Sequence, residues 1–198
     1  MWIHRNKLLF RELNDWKNIK TVQTTTSVDV QTEMNVIKWK KPSPGRIKYN
    51  IDAAFPSNNN RIGLGICIRD ETGAFIRAKT EWVEPKCEVH VGEALGFLSA
   101  LRWVHELNLG PVDFELDSKL VVDSFRHHRK DFTEFGAIIQ HCKVLFSSFY
   151  VNSSVEFVRR QSNEVAHALA TAAPSLASVQ ILVDIPNCIE HILINDML

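Results

Sequence analysis

Cysteine is scarce in this chain, and long hydrophobic runs are missing. Four cysteines stand among 198 residues, with no Cys-x-x-Cys pair and no histidine at zinc-binding spacing, which predicts reduced thiols and an intracellular protein. The longest stretch without Lys, Arg, Asp or Glu runs from Val165 to Val183, and His167 and Pro174 interrupt it. That stretch is too polar and too broken to cross a membrane. The N-terminus has no secretion-signal pattern, so we expect no secretion.

An excess of charge of one sign is lacking as well. The chain has 23 basic residues (Lys and Arg) and 23 acidic ones, and residues 42–173 hold 15 of the basic and 16 of the acidic residues. A domain without net positive charge does not hold nucleic acid by long-range attraction alone. If such a domain acts on phosphates, bound cations must first neutralise its own carboxylates.

The N-terminal part of the chain differs in pattern from the rest. Residues 2–17 predict a short amphipathic helix, and residues 21–35, rich in Thr, Val and Gln, predict a linker. The turn-forming sequence Pro-Ser-Pro-Gly at 42–45 then precedes a long region of regular periodicity. We therefore expect two parts: an N-terminal helix and linker over 1–38, and one main domain over 39–198.

Hydrophobic periodicity in the main domain predicts five strands and four helices. Their order is β-β-β-α-β-α-α-β-α, which combines an antiparallel meander with α/β crossovers. We therefore expect an α/β fold with a mixed five-stranded sheet and helices on both of its faces. The predicted strands cover 46–55, 61–70, 74–83, 112–116 and 153–159, and the predicted helices cover 88–108, 118–127, 132–149 and 163–173.

Three carboxylates stand at positions where an acidic side chain is unfavourable unless it has a partner. Asp52 lies inside a strand and is followed by two alanines, Glu93 lies among small and apolar residues of a helix, and Asp117 ends a strand just before a helix. Each has an ordinary alternative: an edge-strand residue, an acid that complements the helix dipole, or a helix N-cap. Together they suit a site for a hard cation, Mg²⁺ or Mn²⁺, because a mixed sheet could bring all three together.

Four short motifs carry a resemblance to a known family. They are Tyr49-Asn-Ile-Asp52, Gly92-Glu93-Ala-Leu, Glu115-Leu-Asp117-Ser-Lys-Leu-Val-Val and Asn163-Glu-Val-Ala-His167-Ala-Leu-Ala. In this order and spacing they resemble the ribonuclease H fold. More closely, residues 39–198 resemble the plant ribonuclease H-like domain of non-LTR retrotransposon reverse transcriptases.

The resemblance implies a metal-dependent endonuclease that cuts the RNA strand of an RNA–DNA hybrid. Asp52, Glu93 and Asp117 match the acidic ligands of that family, which hold two divalent ions, with Asp52 shared between them. The expected cofactor is therefore Mg²⁺, with Mn²⁺ as an alternative. The expected partner is the hybrid, recognised by its shape and 2′-hydroxyls, and we expect the protein to act as a monomer.

Two positions depart from the family pattern. His167 stands where cellular ribonucleases H have a fourth acidic ligand, and a neutral imidazole binds Mg²⁺ more weakly than a carboxylate does. It is a catalytic candidate that ligates Mn²⁺ or moves a proton, or it is a helix-face residue without a catalytic part. Ala53 stands where the family usually has glycine, and its methyl group would obstruct a substrate backbone that approached there.

Candidate nucleic-acid contacts are few. Asn58 lies in the turn after the first acidic residue, Arg159 and Arg160 end the fifth strand, and Asn163 begins the last predicted helix. Each also has an ordinary explanation as a turn residue, a solvated strand end or a helix residue. The departures leave open a second function, a nucleic-acid-binding module derived from a retroelement and without activity. A 3′–5′ exonuclease of related fold is disfavoured, because those enzymes carry the motif Asp-x-Glu in the first strand. Here two alanines follow Asp52.

Overall fold

The computed structural model describes residues 38–127 and 130–198. The predicted N-terminal helix at 2–17 and the predicted linker at 21–35 lie outside the described residues. The division of the chain into parts 1–38 and 39–198 therefore stays a prediction.

The described residues contain six strands and five α-helices. The strands are Ile47–Ala54 (β1), Ile62–Arg69 (β2), Phe75–Val83 (β3), Val112–Leu116 (β4), Ser154–Phe157 (β5) and Gln180–Leu182 (β6). The helices are Val89–Leu107 (α1), Lys119–Arg126 (α2), Glu134–Phe149 (α3), Glu164–Ala172 (α4) and Asn187–Met197 (α5). A short 3₁₀ turn, Arg160–Ser162, leads from β5 to α4.

The strands form one mixed sheet in the order β5-β4-β1-β2-β3-β6. Strands β1, β2 and β3 form the antiparallel meander, while β4 runs parallel to β1 and β5 runs parallel to β4. The predicted mixed α/β sheet is confirmed, and the predicted number of strands is wrong. The sixth strand, β6, pairs antiparallel with β3 over only three residues, which is too short for alternation to show in the sequence.

The two faces of the sheet are covered by different helices. Tyr49 and Ile51 of β1 face a large apolar cluster that includes residues of α1 and α3, such as Phe97 and Ile139. A smaller cluster on the other face joins Cys67 of β2 to residues of α4 and α5. Because side chains alternate along a strand, Lys48, Asn50 and Asp52 point to this second face.

The helix predicted at 163–173 is not the last one, since α5 follows it and packs on the second face of the sheet. Arg69 of β2, 1% exposed, anchors α5 through an ion pair of 2.6 Å with Asp196. The guanidinium also donates to the side chain of Asn50 at 2.7 Å and lies 3.2 Å from the ring centre of Trp39. This cluster ties both ends of the described domain to the sheet.

None of the helices in residues 38–127 and 130–198 is long and apolar enough to cross a membrane.

Candidate active site and metal centre

Three elements bring the three predicted carboxylates together. Asp52 lies in β1, Glu93 in the second turn of α1, and Asp117 directly after β4. Strands β1 and β4 are parallel, and Ile51 lies opposite Leu116. Asp52 and Asp117, which come directly after these two residues, are therefore neighbours. One oxygen of each carboxylate lies within 4.8 Å of the others. The predicted juxtaposition is present in the fold.

The charge pattern along β1 and β4 changes at the end of the strands where Asp52 and Asp117 lie. Further down the same face, each acid of β4 pairs with a basic residue that lies in β1 or directly before it. Arg46 donates to Asp113 at 2.9 Å, and Lys48 lies 2.6 Å from Glu115. At the site itself the strands present two aspartates to each other, and no basic residue of β1 stands between them. This is where a bound cation would complete the pattern.

Burial makes the acids costly to ionise without such a cation. Burial, and after it the nearby charge of Asp117, raise the pKa of Asp52 to about 8. The pKa of Glu93 rises to about 9, mainly through burial and then through the charges of the two aspartates. Among the described residues, Oδ1 of Asp52 and Oδ1 of Asp117 are buried without a hydrogen-bond partner. Oxygen donors of this kind fit a hard divalent cation.

The helix α4 reaches the site because β2 has a glycine, and so no side chain, at the point of closest approach. A Cβ atom at Gly65, the partner of Asp52 on β2, would lie 2.3 Å from the carbonyl oxygen of Ala166. Only glycine allows this approach of helix and strand. Asn163, fully buried, then fixes the start of α4 by donating from Nδ2 to the carbonyl oxygen of Ile51 at 2.9 Å.

His167 of α4 contacts the acidic cluster directly. Its Nδ1 lies 2.8 Å from Oδ2 of Asp52. Burial lowers the pKa of His167, and the charge of Arg160 lowers it further, so the imidazole is neutral near pH 7. We assign the tautomer in which Nδ1 donates to Asp52, which leaves Nε2 free to accept from Arg160 at 2.9 Å. His167 is therefore part of the site rather than a bystander on the helix face.

Arg160 lies over the cluster, which the sequence did not predict. Its Nη1 is 3.2 Å from Oδ2 of Asp117 and 3.7 Å from Oδ1 of Asp52, and its Nη2 is 2.6 Å from Nδ1 of His167. From its place near the end of the fifth predicted strand, Arg160 was expected to contact phosphate. The one available signal was its position three residues before Asn163, in the turn that leads into α4.

The other predicted nucleic-acid residues are scattered. Arg159 is exposed, and its side chain makes no hydrogen bond or ion pair with the residues that the structure describes. Asn58 is exposed in the turn between β1 and β2. Asn163 is buried, and its contact with β1 gives it a structural role. Ala53 is buried in an apolar cluster with Leu64, on the opposite face from Asp52, so the predicted obstruction by its methyl group is wrong.

Comparisons with known proteins agree with this geometry. The model of the family described as "Reverse transcriptase-like" matches residues 50–173. A protein of Arabidopsis thaliana named "Putative ribonuclease H protein" is 26% identical over 142 residues, which cover 72% of this chain but only 23% of that relative. The chain therefore spans about a quarter of the length of the curated relative that it matches.

Solved structures share the fold. RNase H1 from the halophilic archaeon Halobacterium salinarum superposes with a TM-score of 0.59 at 19% identity, over 65% of this chain and 96% of that one. LC11-RNase H1, solved with an RNA/DNA hybrid, gives 0.58 at 18% identity, over 65% and 96%. Together with the family match over more than half of the chain, the comparisons identify it. The chain belongs to the reverse transcriptase-like family, and its domain has the ribonuclease H-like fold.

Proposed function

We propose that this domain is a metal-dependent endonuclease that hydrolyses the RNA strand of RNA–DNA hybrids. The observation that carries the proposal is the buried cluster of Asp52, Glu93 and Asp117, with two carboxylate oxygens that have no hydrogen-bond partner among the described residues. The family match supports it, as does the name of the Arabidopsis relative. The hybrid bound to LC11-RNase H1 supports the substrate class.

The residues of the site would divide the work as follows. Asp52, Glu93 and Asp117 would hold Mg²⁺, or Mn²⁺ in its place. A divalent ion held there would act as a Lewis acid toward the scissile phosphate and would lower the pKa of a bound water. His167 orients the carboxylate of Asp52 through Nδ1. The sheet and α1 keep the three acids in place before the ion binds, so little reorganisation is needed.

Recognition of the hybrid would rest on shape more than on charge. The exposed side chains of Arg159 and Asn58 are the candidates for contacts with phosphates and 2′-hydroxyls. Because the domain has no positive excess, only a few phosphate contacts are available, and binding should weaken only moderately as salt rises. A monomeric state and an intracellular location belong to the same proposal.

A second candidate function is a nucleic-acid-binding module without activity. The observation that favours it is that Arg160 and His167 already contact Asp117 and Asp52. These contacts compete with a metal ion for the same carboxylates. If they are not displaced or accommodated, the domain binds nucleic acid and does not cut it.

A substrate panel separates the two functions. The purified protein is incubated with a labelled RNA–DNA hybrid, single-stranded RNA, double-stranded RNA and duplex DNA, in Mg²⁺ and then in Mn²⁺. The proposal expects cleavage of the RNA in the hybrid and of no other substrate. A folded protein that binds the hybrid and leaves it intact in both metals would establish the second function instead.

A further inference from the structure

We infer that this site binds one divalent cation, and that the guanidinium of Arg160, held by His167, occupies the place of a second. The inference rests on the metal centre of the proposed function and departs from the two ions that the family resemblance implies. It makes Arg160 a permanent positive charge of the site rather than a phosphate contact.

The first argument is which carboxylate oxygens are already used. Oδ2 of Asp52 contacts His167 at 2.8 Å, and Oδ2 of Asp117 contacts Arg160 at 3.2 Å. The two Oδ1 atoms are buried and have no hydrogen-bond partner in the described part of the chain. Together with the carboxylate of Glu93 they form one set of oxygen donors for an ion. One set of donors accommodates one ion.

The second argument is the position of the guanidinium. Nη1 of Arg160 lies 3.2 Å from Oδ2 of Asp117 and 3.7 Å from Oδ1 of Asp52, so the guanidinium bridges the two carboxylates. The side chain is 52% exposed, but its Nη2 donates to Nε2 of His167 at 2.9 Å, which holds its end in place. A second divalent ion at this place would lie within a few ångströms of a fixed positive charge and be repelled by it.

The third argument is the net charge. With the three carboxylates ionised and His167 neutral, the cluster with Arg160 carries a formal charge of about −2 in a buried site, where unbalanced charge is costly. One divalent ion balances it, and two would leave a positive excess. Replacing Arg160 by glutamine and His167 by aspartate removes one positive charge and adds one negative charge. That variant has the charge and the donors for two ions.

Metal stoichiometry tests the inference directly. Mn²⁺ is titrated into the metal-free protein, calorimetry counts the ions, and electron paramagnetic resonance detects coupling between ions that lie about 4 Å apart. We expect one uncoupled Mn²⁺ in the wild type and two coupled ions in the double variant Arg160→Gln/His167→Asp. The matched control is Arg159→Gln, which loses the same charge at the neighbouring position and should keep one ion.

Several results would overturn the inference. Two ions in the wild type would show that Arg160 does not exclude the second, and one ion in a folded double variant would show that Arg160 and His167 are not the reason. If the double variant does not fold, Arg160→Gln alone replaces it. No bound ion in the wild type would refute the inference and the metal centre together. One bound ion without cleavage of the hybrid would refute the proposed function alone.

Discussion

Replacing Glu93 by glutamine should stabilise the metal-free protein while it destroys the metal site. The carboxylate is buried beside two other acids, and its pKa rises from 4.5 to about 9. In an unfolded chain the same group ionises near its ordinary pKa. The folded protein therefore favours the protonated form, so the stability contributed by this group is fully present below about pH 4.5 and is lost as the pH rises toward 9.

The expected size follows from that difference. At pH 7, about 2.5 pH units above the ordinary pKa, ionisation of this carboxyl group stabilises the unfolded chain by about 3 kcal/mol. In the folded chain the group stays protonated and gains no such free energy. Glutamine has the same shape and no charge, so the variant avoids this penalty. For a domain of this size the gain corresponds to a rise in Tm of about 6–12 °C. At pH 5 the same calculation gives less than about 1 kcal/mol.

Thermal unfolding in EDTA at pH 5, 7 and 8 measures this effect for the wild type and Glu93→Gln. The matched control is Glu88→Gln, whose carboxylate precedes the same helix and is 79% exposed; its Tm should follow the wild type at every pH. Mg²⁺ should raise the Tm of the wild type and leave that of Glu93→Gln unchanged. A variant less stable than the wild type at pH 8 in EDTA, or a gain that does not depend on pH, would refute this reasoning.

Three further predictions concern the surroundings of the site. Asp196→Ala leaves the buried guanidinium of Arg69 without its charge partner and should cost about 3 kcal/mol in urea unfolding; a loss below about 1 kcal/mol would contradict the anchoring of α5. Gly65→Ala forces α4 away from β2 and should cost about 1–3 kcal/mol and weaken Mg²⁺ binding at least tenfold, both measurable by calorimetry. Unchanged Mg²⁺ affinity would mean that the approach of α4 does not shape the site. His167→Asp should raise activity in Mg²⁺ relative to Mn²⁺ in the hybrid assay, and an unchanged ratio of the two would contradict the role given to His167.

The sequence predicted the elements that alternate strongly and missed those that tertiary contacts stabilise. The first strand was predicted at 46–55 and lies at Ile47–Ala54, because alternation over eight residues leaves one consistent assignment. The helix α5 carries Ile189, Ile192 and Leu193 at helical spacing, a signal that its short length makes weak. Its ion pair with Arg69 spans 127 residues of sequence and was not predictable.

The candidate site shows the same division. The three carboxylates were predictable because each is a costly residue at its own position, and the fold then brings them together. The contacts of Arg160 depend on how its flexible side chain turns back from a 3₁₀ turn over two strands. No local sequence pattern predicts this side-chain conformation. The direction of the Ala53 methyl group, by contrast, was predictable. Side chains alternate along a strand, so Ala53 must point to the face opposite to that of Asp52.

Cleavage of a hybrid labelled on its RNA strand, by the wild type and by Asp117→Asn in Mg²⁺ and in EDTA, tests the central claim most directly. The account predicts cleavage by the wild type in Mg²⁺ alone, and loss of at least about a hundredfold in Asp117→Asn, with a Tm in EDTA no lower than that of the wild type. Equal cleavage by the two proteins, or cleavage that persists in EDTA, would contradict a metal-dependent site built on Asp52, Glu93 and Asp117.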